Sequence, residues 1–525
     1  MQITVMGAAR TVTGSSYLVE MDDGVKFLVD CGLFQGGQAM EMRNWQQKSY
    51  NVADLSAIFI THAHIDHSGL APRLVRQGYG GPIYATEATC ELLKILWLDS
   101  AHIQELEAQW QTRKNKRGGK RVVEPLYETE DAEQAGALLK PVEMNTNLNL
   151  MPNVVTSFVS AGHILGASSI LLTLHGNDGV HRVAFSGDIG RPGQLIVPDP
   201  ERFPRPDTLF METTYGARLH KSLVESQEEL ITVINQAYKE GGKVLIPAFA
   251  VERTQELIYT MAKAWREGRF PKDMPVFLDS PLAIRATEIF RAHPEFFDDE
   301  TREMKEAGGT PLNFPNLKFT LSTEDSRAIN EYQGSAVIMA GNGMASAGRI
   351  KHHLKHNIWR DDCHVVIVGF QAQGTTGRRL VEGAKLVRIF REEVAVHAKV
   401  HTIGGFSAHA DQGELMRWLA PLAHKDLTVC LVHGEESGSL VFRDLAKKSH
   451  PEVIFRVPRF GDTLELSGRE GAKSRRLPRQ ARPDASRLAD HLAVLLEKVA
   501  AGELPPEKTA ALEQALARLE DVLDE

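Results

Sequence analysis

His62, His64, Asp66 and His67 fall within the segment THAHIDH, directly after the apolar run Ala57-Ile58-Phe59-Ile60. Imidazole and carboxylate groups gathered this closely at the exit of a strand can converge on a borderline cation such as zinc, which takes nitrogen and oxygen ligands and keeps an open position when it is catalytic. Four donors of two types suggest two ions rather than one. A histidine-rich surface turn is the plain alternative, but three histidines beside a buried strand need a chemical reason to be there. Three further candidates stand at the same kind of position, each just past a strand pattern: His163 in SAGHILGAS, Asp188 in FSGDIGR and His433 in VHGE. Alone, each is as well explained as a satisfied surface or core residue. Together with the cluster they make seven donors, enough for two ions with Asp188 placed to bridge.

The elements that must position these donors come in two styles. Short strand patterns at 2–6, 16–21, 25–29 and 58–60, punctuated by glycine, lead into a mostly helical stretch over 88–140 that the charged run RKNKRGGKR at 113–121 breaks. Strand patterns resume at 154–160, 170–174 and 182–185, a layered α/β arrangement. From about 217 helices (222–239, 252–266, 284–291, 349–356) alternate with unbroken apolar strands (243–246, 276–278, 336–339, 365–368), which predicts an inserted parallel sheet covered on both faces. Ligands of such sheets lie at the strands' C-terminal ends, here PAFAVER, DSP, GNGMASAGR and GFQAQGTTGRR. The first style returns from about 393, where strand patterns at 400–403 and 428–432 run into GGFSAHAD and HGEE. Beyond 466 come a basic, proline-containing linker and two leucine-faced patterns around Leu488–Val499 and Leu512–Val522, predicting a helical hairpin. It is either a solvated appendage or a module for a homo-oligomer or protein partner.

A chain of 525 residues with 42% hydrophobic content divides into roughly two to four domains. A formal charge of -8 argues against a generic nucleic-acid coat, while leaving room for a local basic groove. No signal-peptide pattern and no membrane-length apolar run is present, so a soluble, cytoplasmic protein with no membrane partner is expected. Cys31, Cys90, Cys363 and Cys430 are too scattered for a disulfide framework or a thiolate metal site.

The HxHxDH pattern resembles the metallo-β-lactamase superfamily. Glu212 in METTYG, His409 in SAHAD and His433 in LVHGE, ordered around the α/β insert, resemble within it the β-CASP nucleases that process RNA, among them bacterial relatives of the endonuclease that cleaves pre-mRNA 3′ ends. The resemblance runs from residue 1 to about 466. It implies an α/β protein: a metallo-β-lactamase αββα sandwich (1–216 and 393–466) with an inserted parallel-sheet β-CASP domain (217–392), followed by the linker and C-terminal helical hairpin (467–525). It also implies two zinc ions, one on His62, His64 and His163, the other on Asp66, His67 and His433, with Asp188 shared and Asp30 orienting ligand imidazoles from behind. In that family a histidine at the position of His433 goes with RNA and a valine with DNA.

The activity implied is hydrolysis of single-stranded RNA to 5′-phosphate and 3′-hydroxyl products, by internal cuts, 5′-to-3′ trimming or both. Paired zinc ions acidify water and take up phosphoryl charge, while His409 serves as general acid with Glu212 accepting its other ring proton. Ser346, Arg349, Thr375 and Thr376 precede helices and offer hydroxyls and positive charge suited to phosphate, although such residues are also ordinary caps. Lys351, His352, Lys355 and His356 either extend a basic track or form a solvated helix face. Two other classes compete: a metal-dependent hydrolase of small esters or thioesters, and a non-catalytic RNA-binding scaffold. The insert and the two extra histidines weigh against the first, and the intact donor set with Glu212 and His409 against the second.

Overall fold

Strands buried along their whole length, such as Thr208–Glu212 and Thr428–Val432, must be covered on both faces. The computed structural model covers them by layering; it describes residues 1–46, 49–117, 122–369 and 371–466 together with Ser474 and Arg475. One mixed sheet has eight strands in the order Ser474–Arg475, Thr463–Glu465, Gln2–Val5, Ser16–Glu20, Lys26–Cys31, Leu55–Phe59, Ile83–Thr86 and Leu139–Val142. A second has seven: Ile454–Arg456, Thr428–Val432, Thr208–Glu212, Gly179–Phe185, Ser168–Gly176, Val154–Ser160 and Leu148–Met151. Their inner faces share one aromatic-rich core containing Phe27, Phe59, Phe158, Phe185 and Phe210. Phe27 meets Phe59 edge-on at 5.6 Å and Phe185 stacks on Phe210 at 4.9 Å, geometries that suit the ring quadrupole. Helices close the outer faces, the long Glu87–Arg117 over the first sheet and Gln412–Leu419 with Glu436–Ser449 over the second. This is the αββα sandwich.

The inserted sheet is all parallel, in the order Leu317–Phe319, Val276–Leu278, Ala336–Ala340, Lys243–Pro247, His364–Ile367 and Lys399–Thr402. Its helices start where local chemistry allows: Ser222 Oγ accepts from Glu225 N ahead of Leu223–Glu240, and Gly241 at φ 77° ends that helix. Three features differ from the sequence expectation. The helix predicted to break at 113 runs on to Arg117. Lys399–Thr402, predicted to lead back into the sandwich, pairs with His364–Ile367 and completes the parallel sheet. A hairpin of Leu386–Ile389 and Glu392–Ala395 stands beside that sheet, where the sequence shows no turn signal. The predicted C-terminal helical hairpin lies outside the described residues.

Candidate metal centre

The loop after Leu55–Phe59 turns through one helical turn, Ile65–Ser68, which carries Asp66 and His67 back toward His62 and His64. Neighbouring backbone sets that turn: Ser15 N donates to Asp66 O (2.8 Å) and Leu33 N to Ile65 O (2.9 Å). Gly32 is what permits the approach, since a Cβ there would fall 1.7 Å from Asp66 O. His163 follows Val154–Ser160, and Asp188 follows Gly179–Phe185. Glu212 and His433 end two neighbouring parallel strands paired in register, Glu212 opposite Val432. Each of these side chains lies at the end of a strand or in the segment that follows one, where the backbone leaves the ladder and side chains can converge.

Seven donors gather as two groups around Asp188. His64 Nδ1 lies 3.1 Å from His62 Nε2 and 3.2 Å from His163 Nε2, and Asp188 Oδ2 lies 3.5 and 3.6 Å from the latter two nitrogens. On the other side His67 Nε2 is 3.1 Å from His433 Nε2 and 3.3 Å from Asp188 Oδ1, and Asp66 Oδ2 is 3.5 Å from His433 Nε2. Donors about 2.0–2.1 Å from a tetrahedral ion stand about 3.3–3.4 Å apart, so both groups have the spacing zinc requires. Asp188 Oδ1 is buried and faces His433 Nδ1 at 3.1 Å and His67 Nε2 at 3.3 Å without hydrogen-bonding geometry to either, a position that a cation between them would satisfy. Burial drives His62 and His163 well below the usual imidazole range and His64 to about 4, so these rings are neutral, with lone pairs free. Burial would raise Asp188, but His433, His67 and His409 outweigh it and hold the carboxylate ionised. Charge and spacing therefore both fit a metal.

Partners behind the donors select the ring nitrogens. Asp30 Oδ2 accepts from His67 Nδ1 at 2.7 Å, leaving Nε2 for the centre. Asp30 is itself held at φ 58° by Ser15 Oγ (3.0 Å) and Thr61 N (2.9 Å). His163 Nδ1 faces Ala408 O at 3.3 Å, whereas His433 Nδ1 lies 3.1 Å from both Thr214 Oγ1 and Asp188 Oδ1, so both of its ring nitrogens border the centre.

Beside the donors, His409 Nδ1 lies 3.2 Å from Glu212 Oε1. Glu212 is fully buried, and its oxygens also accept from Ile189 N and Thr214 N, so the carboxylate has little freedom to move. Ala410 N donates to Ile189 O at 2.7 Å, and the His409 ring packs on His163 at 4.5 Å. Burial pulls His409 down, but Glu212 and then Asp188 push it up to about 9. A proton is thus held on a ring whose Nε2 has no protein partner among the described residues.

The four candidate phosphate contacts also make bonds within the insert. Arg349 Nη1 donates to Asp279 Oδ1 at 2.7 Å and its other nitrogen to Leu321 O at 3.0 Å, so the guanidinium serves the insert's own architecture. Thr375 Oγ1 caps Thr376–Val381 by accepting from Arg378 N, and Thr376 N donates to Ser346 Oγ at 3.1 Å. A residue the sequence did not single out, His353, is fully buried and donates to Asp279 Oδ2 at 2.7 Å. Asp279 also accepts from Ser326 and Thr320. These partners overcome burial and hold Asp279 at about 2. The DSP motif at a strand's C-terminal end was the available signal for this network.

Models of three domain families match the chain: the metallo-β-lactamase superfamily over 9–148, the β-CASP domain over 254–380, and the Zn-dependent metallo-hydrolase RNA specificity domain over 393–456. The chain belongs to the β-CASP branch of the metallo-β-lactamase superfamily. A ribonuclease of Thermus thermophilus is 36% identical over 89% of this chain and 100% of its own length. Proteins named as transcription termination factors in Methanocaldococcus jannaschii and Thermococcus kodakarensis are 32% and 33% identical, each over 89% of this chain and 72% and 71% of their own lengths. A crystal structure of an Enterococcus faecalis protein of unknown function superposes with a TM-score of 0.50, covering 88% of this chain and 99% of that one at 12% identity, a likeness of fold alone. No helix among the described residues is long and apolar enough to cross a membrane.

Proposed function

We propose that this protein is a zinc-dependent ribonuclease of the cytoplasm, hydrolysing phosphodiester bonds of single-stranded RNA to 5′-phosphate and 3′-hydroxyl products by internal cuts, trimming from the 5′ end, or both. The observation that carries the reading is a seven-donor cluster adjoining the His409–Glu212 pair. A binding scaffold has no use for that pair, and a hydrolase of small esters has no use for the inserted sheet. The RNA preference is supported by His433, which lies inside the segment matched by the RNA specificity model, and by the ribonuclease name of the Thermus relative. The insert is taken as 217–392, with Lys399–Thr402 completing its sheet.

His62, His64 and His163 would hold one zinc ion and Asp66, His67 and His433 the other, with Asp188 between them. When bound, the ions supply Lewis acidity toward phosphoryl oxygens and water acidified toward neutral pH. The chain's own residues do the rest. Asp30 and Thr61 hold His67 and His62 in the tautomer that faces inward. His409 gives its Nε2 proton to the departing ribose 3′ oxygen, while Glu212 keeps Nδ1 protonated and the ring oriented. Cleavage of 5′-end-labelled RNA and DNA by the purified protein, with His409→Ala and a chelated sample alongside, tests the reading. Metal-dependent RNA cleavage lost in the variant supports it; intact RNA together with hydrolysis of a small ester or thioester overturns it.

A further inference from the structure

The hairpin Leu386–Ile389/Glu392–Ala395 turns through two residues, Phe390 at φ 50° and Arg391 at φ 69°, between the paired Ile389 and Glu392. Two left-handed residues in a two-residue loop define a type I′ turn, which favours Asn-Gly and strains a bulky side chain. Strained backbone clusters at functional sites. Here the strain holds out an aromatic ring: Phe390 is 45% exposed, with Lys351 Nζ 4.6 Å over it and the His352 ring 4.5 Å away. Arg391 beside it has no ion-pair partner among the described residues.

The hairpin's direction gives the tip its meaning. At the base, His397 N and Ala398 N donate to Ile358 O, at the end of the helix Ile350–Asn357; midway Lys355 pairs with Glu392; the tip reaches Lys351 on the first turn. That first turn follows the C-terminal end of the strand Ala336–Ala340. On the same edge of the sheet, the loop after Lys243–Pro247 brings Glu252 against the backbone of Leu165, two residues past His163. The tip therefore rises on the side of the insert that meets the metal centre.

We propose that Phe390 and Arg391, with Lys351 and His352, form a platform on which a nucleobase of the RNA strand stacks while the cations meet its phosphate. Aromatic rings set among cations grip single strands in this way, without reading sequence. The proposal rests on the RNA reading above. Its test is fluorescence anisotropy of a labelled oligoadenylate with the full-length His409→Ala protein, which binds without cutting. Phe390→Ala should weaken binding by about 5- to 150-fold. Phe390→Trp should preserve it. Replacing Phe390-Arg391 by Asn-Gly suits the turn, so it should raise the thermal midpoint while weakening RNA binding; a purely structural tip would give no such loss. Equal affinity of Phe390→Ala and its parent overturns the platform alone, whereas no RNA binding by the parent overturns the RNA reading itself.

Discussion

Glu212→Gln isolates one charge. Glutamine keeps the length of the side chain and an oxygen for Ile189 N, but removes the carboxylate 3.2 Å from His409 Nδ1. Two unit charges at that distance interact by about 5 kcal/mol at an effective dielectric near 20. His409 is 22% exposed, so solvent screens part of this, and roughly half, about 2.5 kcal/mol, corresponds to about 2 pH units. The direction agrees with the rise of His409 to about 9, a net effect in which burial opposes and Asp188 adds to Glu212. A general acid works only while protonated, so activity is present below its pKa and is lost as pH rises through it. Bound cations move that limb downward in both proteins; the difference between them reports Glu212. In a pH profile of kcat for RNA cleavage, the alkaline limb of Glu212→Gln should fall about 2 units below that of the unsubstituted enzyme. A limb that stays in place would show that Glu212 does not set the proton on His409.

Further outcomes follow from the geometry. Asp30→Asn should weaken zinc affinity by about 10- to 100-fold, read by competition with a chromogenic chelator, because His67 loses its charged partner; metal analysis of the unsubstituted protein should return about two zinc ions per chain. Asp279→Asn should destabilise the protein by about 3–5 kcal/mol in urea unfolding at pH 7, since a buried ion pair is broken. Because the folded state depresses Asp279 to about 2, its contribution is complete above the unfolded pKa and lost as pH falls, and the gap between the two proteins should narrow by about 1 kcal/mol at pH 3; a gap independent of pH would contradict the network. Gly190→Ala places a Cβ 1.6 Å from Gly162 O and 2.7 Å from His163 N, so it should abolish most RNA cleavage while far-ultraviolet circular dichroism stays native.

The donors were legible because their chemistry is local: imidazoles and carboxylates at strand exits are rare without a task, and each stands in a short motif. Asp30, one turn residue among many by type, was marked in the sequence by the family resemblance alone, and its bond from His67 supplies the physical reason. Arg349 was legible as a cation at a helix start, but its bond to a buried carboxylate 70 residues away was not, because a phosphate and a carboxylate ask the same of the sequence. His352 and His356 drew notice while His353 carries the buried bond; neighbouring residues on a helix point about 100° apart, and pattern alone does not say which one faces in. Phe390-Arg391 could not be read as a turn, since the tip lacks the Asn-Gly signature the geometry favours.

His62 and His433 meet at one centre although most of the chain lies between them, and His433 hangs on a strand that pairs with Thr208–Glu212. At ribosomal speeds of about 5–20 residues per second, roughly 20 to 75 seconds pass between their synthesis. During that interval the growing chain has the first donors but not the last, and it is attached to the messenger it is being read from. The cluster is therefore completed only once Thr428–Val432 has been made and has paired with Thr208–Glu212, which sets the folding of the centre late in the order of strands.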